Sequence, residues 1–182
     1  TVPKGKDNSL TSSGSEMTQP VIMWFRQDLR TRDLAALNAA ASAGEVICLY
    51  ILDDETPGEW KIGGAGRWWL RHSLERLSRD VKLVLRRGRS DEVLARVVQE
   101  TGASGVYFTR DYAPWSAALE LRVKAACGQA NAACHRFGGY LLHEPESIRN
   151  GSGEPYRVYT PFSRACFAAG EPRLPGAGAK PV

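Results

Sequence analysis

The chain has 182 residues, 43% of them hydrophobic, and a formal net charge of +4. This length suits one domain with tails around a single sizeable core. The mild positive charge permits an acidic partner but does not argue for nucleic acid by itself. No apolar run approaches the roughly 18 residues of a membrane span, and the amino terminus has no apolar signal core. The expectation is a cytoplasmic protein with no membrane partner.

Residues 1–19 are polar and read as a disordered leader, with the native start expected near Met17. The first regular element is VIMWF, Val21–Phe25, an apolar run of strand length. Leu34–Ala43 is an alanine-rich helix ended by Gly44. Val46–Leu52, VICLYIL, is a strand apolar on both faces. Ala65–Arg79 is a helix with Trp69, Leu70, Leu74 and Leu77 at helical spacing. Lys82–Leu85 is a short strand. Ser90 is the expected N-cap of a helix carrying Val93, Leu94, Val97 and Val98 on one face. Gly105–Phe108 is a fourth strand and Pro114–Cys127 a fourth helix, with Pro114 in its first turn. Ala133–Phe137 and Tyr140–Leu142 are short β-like pieces, and the Pro/Gly/Ala-rich end reads as a linker.

Strands apolar on both faces need helices on both faces. The alternation therefore predicts an α/β fold, a doubly wound, five-stranded parallel Rossmann-like sheet. Right-handed crossovers then bring the carboxyl ends of the strands to one edge, where open α/β sheets bind ligands. Any site should draw on Arg26–Asp33, Asp53–Arg67, Arg86–Ser90 and Thr109–Tyr112.

The first of these segments, RQDLRTRD, lacks the glycines of a phosphate-binding turn. It offers Arg26, Asp28, Arg30, Arg32 and Asp33 instead. On residue chemistry alone it reads either as a surface ion-pair mesh with Asp33 capping the next helix, or as a docking surface for another domain or an anionic ligand. The second carries Asp53, Asp54 and Arg67 beside Gly63, Gly64 and Gly66 at a helix start, where an anion can bind but a mobile loop is commoner. It also holds Trp60, Trp68 and Trp69. One of these is expected in the core, and an exposed one can stack on a planar ligand. The last carries Arg110 and Asp111 at a strand end. The four cysteines show no CxxC spacing and the three histidines no metal spacing, so reduced thiols and no metal are expected.

The order of motifs goes further. WFRQDLRTRDLAAL (Trp24–Leu37) resembles the opening of the DNA photolyase/cryptochrome family, which starts with WFR-x-DLR. VICLYILDDE, GAGRWWLRHSLERL, LVLRRGRSDEVL and GVYFTRDYAP are similar to its succeeding strands, helices and loops, in the same order. GSGEPYRVYTPFSRAC (Gly151–Cys166) resembles the passage from its first domain toward its second.

The resemblance implies that residues 20–150 form the family's amino-terminal α/β antenna domain. Residues 151–182 would then start a linker toward an FAD-binding helical domain absent from this chain. It implies a deoxyribodipyrimidine photolyase, which repairs UV-damaged DNA by light-driven splitting of cyclobutane pyrimidine dimers. The FAD and the catalytic residues would lie in that second domain, so this chain alone would carry no catalysis. A cryptochrome-type blue-light signalling protein and a free-standing α/β nucleotide-binding module are the alternatives.

In the family the first domain often holds an antenna chromophore, which is methenyltetrahydrofolate, a deazaflavin or a flavin, though the cleft can be empty. Arg26, Asp28, Arg30, Asp53, Asp54, Arg67, Arg110 and Asp111 are the candidate antenna or domain-interface residues. The resemblance puts Arg26, Asp28 and Arg30 across from the second domain. The chain departs from the family at Ala113 and Thr109, where folate-binding members commonly carry Glu and Asn.

Overall fold

The computed structural model describes residues 19–172. The proposed leader and the final Pro/Gly/Ala-rich stretch lie almost wholly outside the described residues. Five parallel strands alternate with helices: β1 Val21–Phe25, α1 Ala35–Ala43, β2 Val46–Leu52, α2 Gly64–Leu77, β3 Leu83–Arg87, α3 Ser90–Thr101, β4 Gly105–Thr109, α4 Ser116–Gln129, β5 Ala133–Phe137 and α5 Tyr159–Ala168. The sheet order is β3-β2-β1-β4-β5. The expected doubly wound α/β fold is therefore present.

The strand periodicity explains the layers. Val21, Met23 and Phe25 point into one buried cluster with Leu37 and Ala40 of α1 and Leu77 of α2. Ile22 and Trp24 point into the other, with α3 and α4. All five residues of β1 are buried, as a central strand covered on both faces requires. The chain winds outward from β1 to β3, then returns to the other side of β1 to lay down β4. The direction reverses between β1 and β4, and their carboxyl ends meet there.

Several local expectations are corrected. Asp33 does not cap α1: Leu34 is its N-cap, with no side-chain cap, and Asp33 adopts a left-handed φ of 51°. Asp tolerates that region because its short polar side chain bonds locally. Ser90 is the first residue of α3 rather than its cap, which is Arg89. Pro114 precedes α4, whose N-cap is Trp115. Tyr140–Leu142 is not a strand. The α5 helix was not foreseen in what read as a linker. None of the clustered tryptophans is core: Trp60, Trp68 and Trp69 are 71%, 62% and 69% exposed.

The unusual helix is α2. Only Leu77 at its end is buried, so most of the helix stands off the sheet. All four cysteines are free. Burial pushes the Cys48 thiol up to about 11, which keeps it an inert core group.

Candidate functional site: the cleft at the sheet's switch point

A cleft of about 1070 Å³ opens along the carboxyl edge of the sheet. Its floor is Phe25, Tyr50 and Leu52 at the strand ends, its flank is Trp69 and Leu70 of α2, and Trp60 and Trp115 stand at its margins. The gap exists because α2 is not seated on the sheet. Arg26, Arg30, Asp53 and Asp111 of the eight candidates line it; Asp28, Asp54, Arg67 and Arg110 do not.

Arg26 fills the reversal between β1 and β4. Its side chain is 7% exposed and donates to Glu120 at 2.7 Å, with Asp111 at 3.4 Å. It also reaches Ser116 Oγ and the Thr109 carbonyl, each at 3.4 Å, and lies 4.7 Å over the Trp24 ring. Ser116 Oγ donates to Asp111 at 2.8 Å, and Arg136 takes the other Glu120 oxygen at 3.3 Å. The charge of Arg26 is matched within this domain. Asp28 is buried too, and its Oδ1 accepts the Arg26 backbone N–H at 2.9 Å, closing the turn that glycine closes elsewhere. Neither of these two belongs to a surface mesh.

Asp53 follows β2 and takes five donors: the N–H groups of Glu55, Thr56 and Ser90 and the hydroxyls of Thr56 and Ser90, all within 3.1 Å. Burial raises its pKa, but the bonds from Thr56 and Ser90 outweigh it and hold the carboxyl below its usual value. It staples the β2 loop to the start of α3. Asp54 sits outside the cleft between Arg67 at 2.7 Å and Arg87 at 3.1 Å, tying the first turn of α2 to the end of β3.

Arg110 turns away from the cleft. It forks onto Glu146 at 2.6 and 2.8 Å, bonds Glu144 at 3.0 Å, and lies 4.8 Å over the Tyr112 ring. The Glu146 carboxylate raises its pKa further. The Tyr112 hydroxyl donates to Glu144 at 2.6 Å. Burial, then the bond to Glu144, pushes that phenol up to about 12. Together they pin the segment after β5. Arg30 is different, because among the described residues its Nε and Nη2 donate to the carbonyls of Arg32 and Asp33 alone, each at 3.1 Å.

Sequence reasoning missed Glu120 and Ser116. The signal was present: Ser116, Leu119, Glu120, Val123 and Cys127 form the buried face of α4, so Glu120 is a carboxylate on an apolar stripe. Among the described residues no cluster of His, Cys, Asp and Glu could hold a metal. No described helix is long and apolar enough to cross a membrane.

The family model for DNA photolyase matches residues 21–179. The chain is 42% identical over 164 residues to a deoxyribodipyrimidine photo-lyase of Agrobacterium fabrum, covering 87% of this chain and 34% of that protein. It is 35% identical over 154 residues to cryptochrome-1 of Arabidopsis thaliana, covering 81% and 22%. The crystal structure of a bacterial class III photolyase from Agrobacterium tumefaciens superposes with a TM-score of 0.84 at 39% identity, covering 94% of this chain and 36% of that one. The chain thus spans about a third of the photolyase it matches. With the five-stranded parallel sheet and its arginine-filled first turn, these matches establish that the chain belongs to the DNA photolyase family and carries that family's amino-terminal α/β domain.

Proposed function

We propose that this chain is the light-harvesting and docking domain of a deoxyribodipyrimidine photolyase. In this reading the whole protein binds UV-damaged DNA and splits cyclobutane pyrimidine dimers under light, in the cytoplasm. FAD sits in a helical domain beyond residues 151–182, and the cleft on residues 20–150 takes an antenna chromophore. The observation that carries the reading is the cleft itself.

Its size exceeds that of ordinary small-molecule sites, roughly 300–1,000 Å³. It is walled by Trp60, Trp69 and Tyr50, whose flat faces suit a pterin or flavin ring. The residues therefore fit a planar chromophore of the folate, deazaflavin or flavin class. A bound antenna supplies absorption of near-ultraviolet and blue light. The chain's own contribution is placement, because dipolar energy transfer depends on distance and orientation and needs no covalent step. The saturated Arg26 and Asp53 bonds hold the cleft floor rigid, as such a task requires.

The test is an absorption spectrum from about 300 to 500 nm during titration with each chromophore class, since planar rings of these classes absorb there. A band that saturates supports the antenna site, and its absence for all three counts against it. Repair is tested separately, with the full-length protein and dimer-containing DNA under blue light. The 35% identity to a cryptochrome favours one second reading, blue-light signalling. Absence of repair by the full-length, FAD-loaded protein would select it.

A further inference from the structure

We propose that Arg30 is the anion receptor of the cleft, so that the ligand is a planar ring bearing a carboxylate or phosphate tail rather than a neutral one. The inference rests on the antenna reading of the cleft and narrows it. It follows from matching every charge that lines the cavity. Arg26 is neutralised by Asp111 and Glu120. Arg76 is paired with Asp80 at 3.0 Å, and His72 lies beside Glu75. Asp53 is saturated by its five donors, and Asp111 is spent on Arg26 and Ser116. Among the described residues, Arg30 is the cation on the cleft wall that no carboxylate neutralises; Asp53 also lacks an ion pair, but neutral donors fill its oxygens.

It is also held ready. The turn Asp28–Asp33 winds around it, and its two bonds go to main-chain carbonyls, which orient a guanidinium without cancelling its charge. The left-handed φ of Asp33 belongs to this winding. Asp28 lies two residues away, but its carboxylate makes no ion pair with Arg30 and instead takes the Arg26 N–H. A guanidinium has five N–H donors. Nη1 has no acceptor among the described residues, so a planar fork toward a carboxylate or phosphate is left open. The pterin class reaches this chemistry through a glutamate tail and the flavin class through a phosphate.

The experiment is a set of paired titrations of this chain at low salt. Flavin mononucleotide is compared with riboflavin, and methenyltetrahydrofolate with the analogue whose glutamate carboxyls are amidated. In whichever class binds, the more anionic partner should bind about tenfold more tightly. Arg30→Gln should erase the difference, and Arg30→Lys should keep most of it, which separates loss of charge from damage to the turn. In parallel, inorganic phosphate is titrated while the Arg30 Nε–H resonance is followed by NMR.

If both members of each pair bind alike, the anion receptor is wrong and the antenna cleft stands. If no chromophore binds but phosphate moves the resonance, the receptor stands and the antenna reading falls. If neither responds, both fall. A preference confined to the flavin pair or to the folate pair names the source of the anion.

Discussion

A buried guanidinium is costly unless each charge around it is matched, and Arg26 meets that condition through Glu120 and Asp111. Arg26→Met should therefore destabilise the chain by about 3–5 kcal/mol, because it strands buried carboxylates. Denaturant unfolding measures this. Restoring stability with Arg26→Met/Glu120→Leu would show that the loss came from the orphaned carboxylate.

Asp53 gives a pH-dependent counterpart. Its folded pKa is depressed, so its stabilisation is present above the unfolded carboxyl value of about 3.9 and fades as pH falls through the lower folded one. Asp53→Asn should cost about 1–2 kcal/mol at neutral pH. The gap from the unsubstituted chain should close in acid, read from unfolding midpoints across pH. Tyr112 supplies a spectroscopic check, since its phenol should ionise near 12 rather than about 10 in an ultraviolet titration. Arg30 belongs to this scale too, as the cleft-lining cation with no carboxylate partner among the described residues.

At the scale of elements, α2 is the outlier. It buries only Leu77, whereas α3 buries Val93, Leu94, Val97 and Val98 along one face. Backbone amides in the first three turns of α2 should exchange with solvent faster than those of α3. A saturating chromophore should slow the α2 amides selectively, because it fills the gap beneath them. Equal protection in both helices before ligand would contradict the stand-off geometry.

The same contrast explains how much was legible in the sequence. The strands and α3 were readable because uniform burial or a single apolar face writes itself into the spacing of Val, Leu and Ile. Trp69, Leu70, Leu74 and Leu77 show the same spacing, yet the helix faces a cavity instead of a core, and spacing cannot tell the two apart. The cleft edge was readable from topology, and four of eight site candidates reach the cavity. The other four lie outside the cavity, and Asp28 bonds within its own turn. Asp54, Arg67 and Arg110 find partners in distant segments, and partner choice between charged side chains is not encoded in local order. Caps were misread likewise: Ser90 spends its hydroxyl on Asp53, thirty-seven residues away in sequence, rather than on its own helix.

At the scale of the molecule, apolar surface gathers on α5 and the segment before it. Val158, Tyr159 and Phe167 are 63%, 77% and 86% exposed. In the proposed photolyase this face would meet the helical domain. Without that cover the chain should bind a hydrophobic dye and self-associate as concentration rises, measured by dye fluorescence and sedimentation. Replacing Tyr159 and Phe167 with Ser should reduce both while leaving the sheet's unfolding midpoint nearly unchanged, because neither side chain enters either core cluster.

The order of the strands also sets a schedule for assembly. β1 is the first strand, yet both of its neighbours come later, β2 at once and β4 only after residue 105. Arg26 must wait longer, for Asp111 and then Glu120 on α4. A nascent chain can therefore build the β1-β2-β3 half early, but it exposes one long edge of β1 and an unpartnered arginine until the second half emerges. The decisive folding event is then a late closure across more than eighty residues, the kind of non-local pairing that slows folding and leaves open strand edges vulnerable.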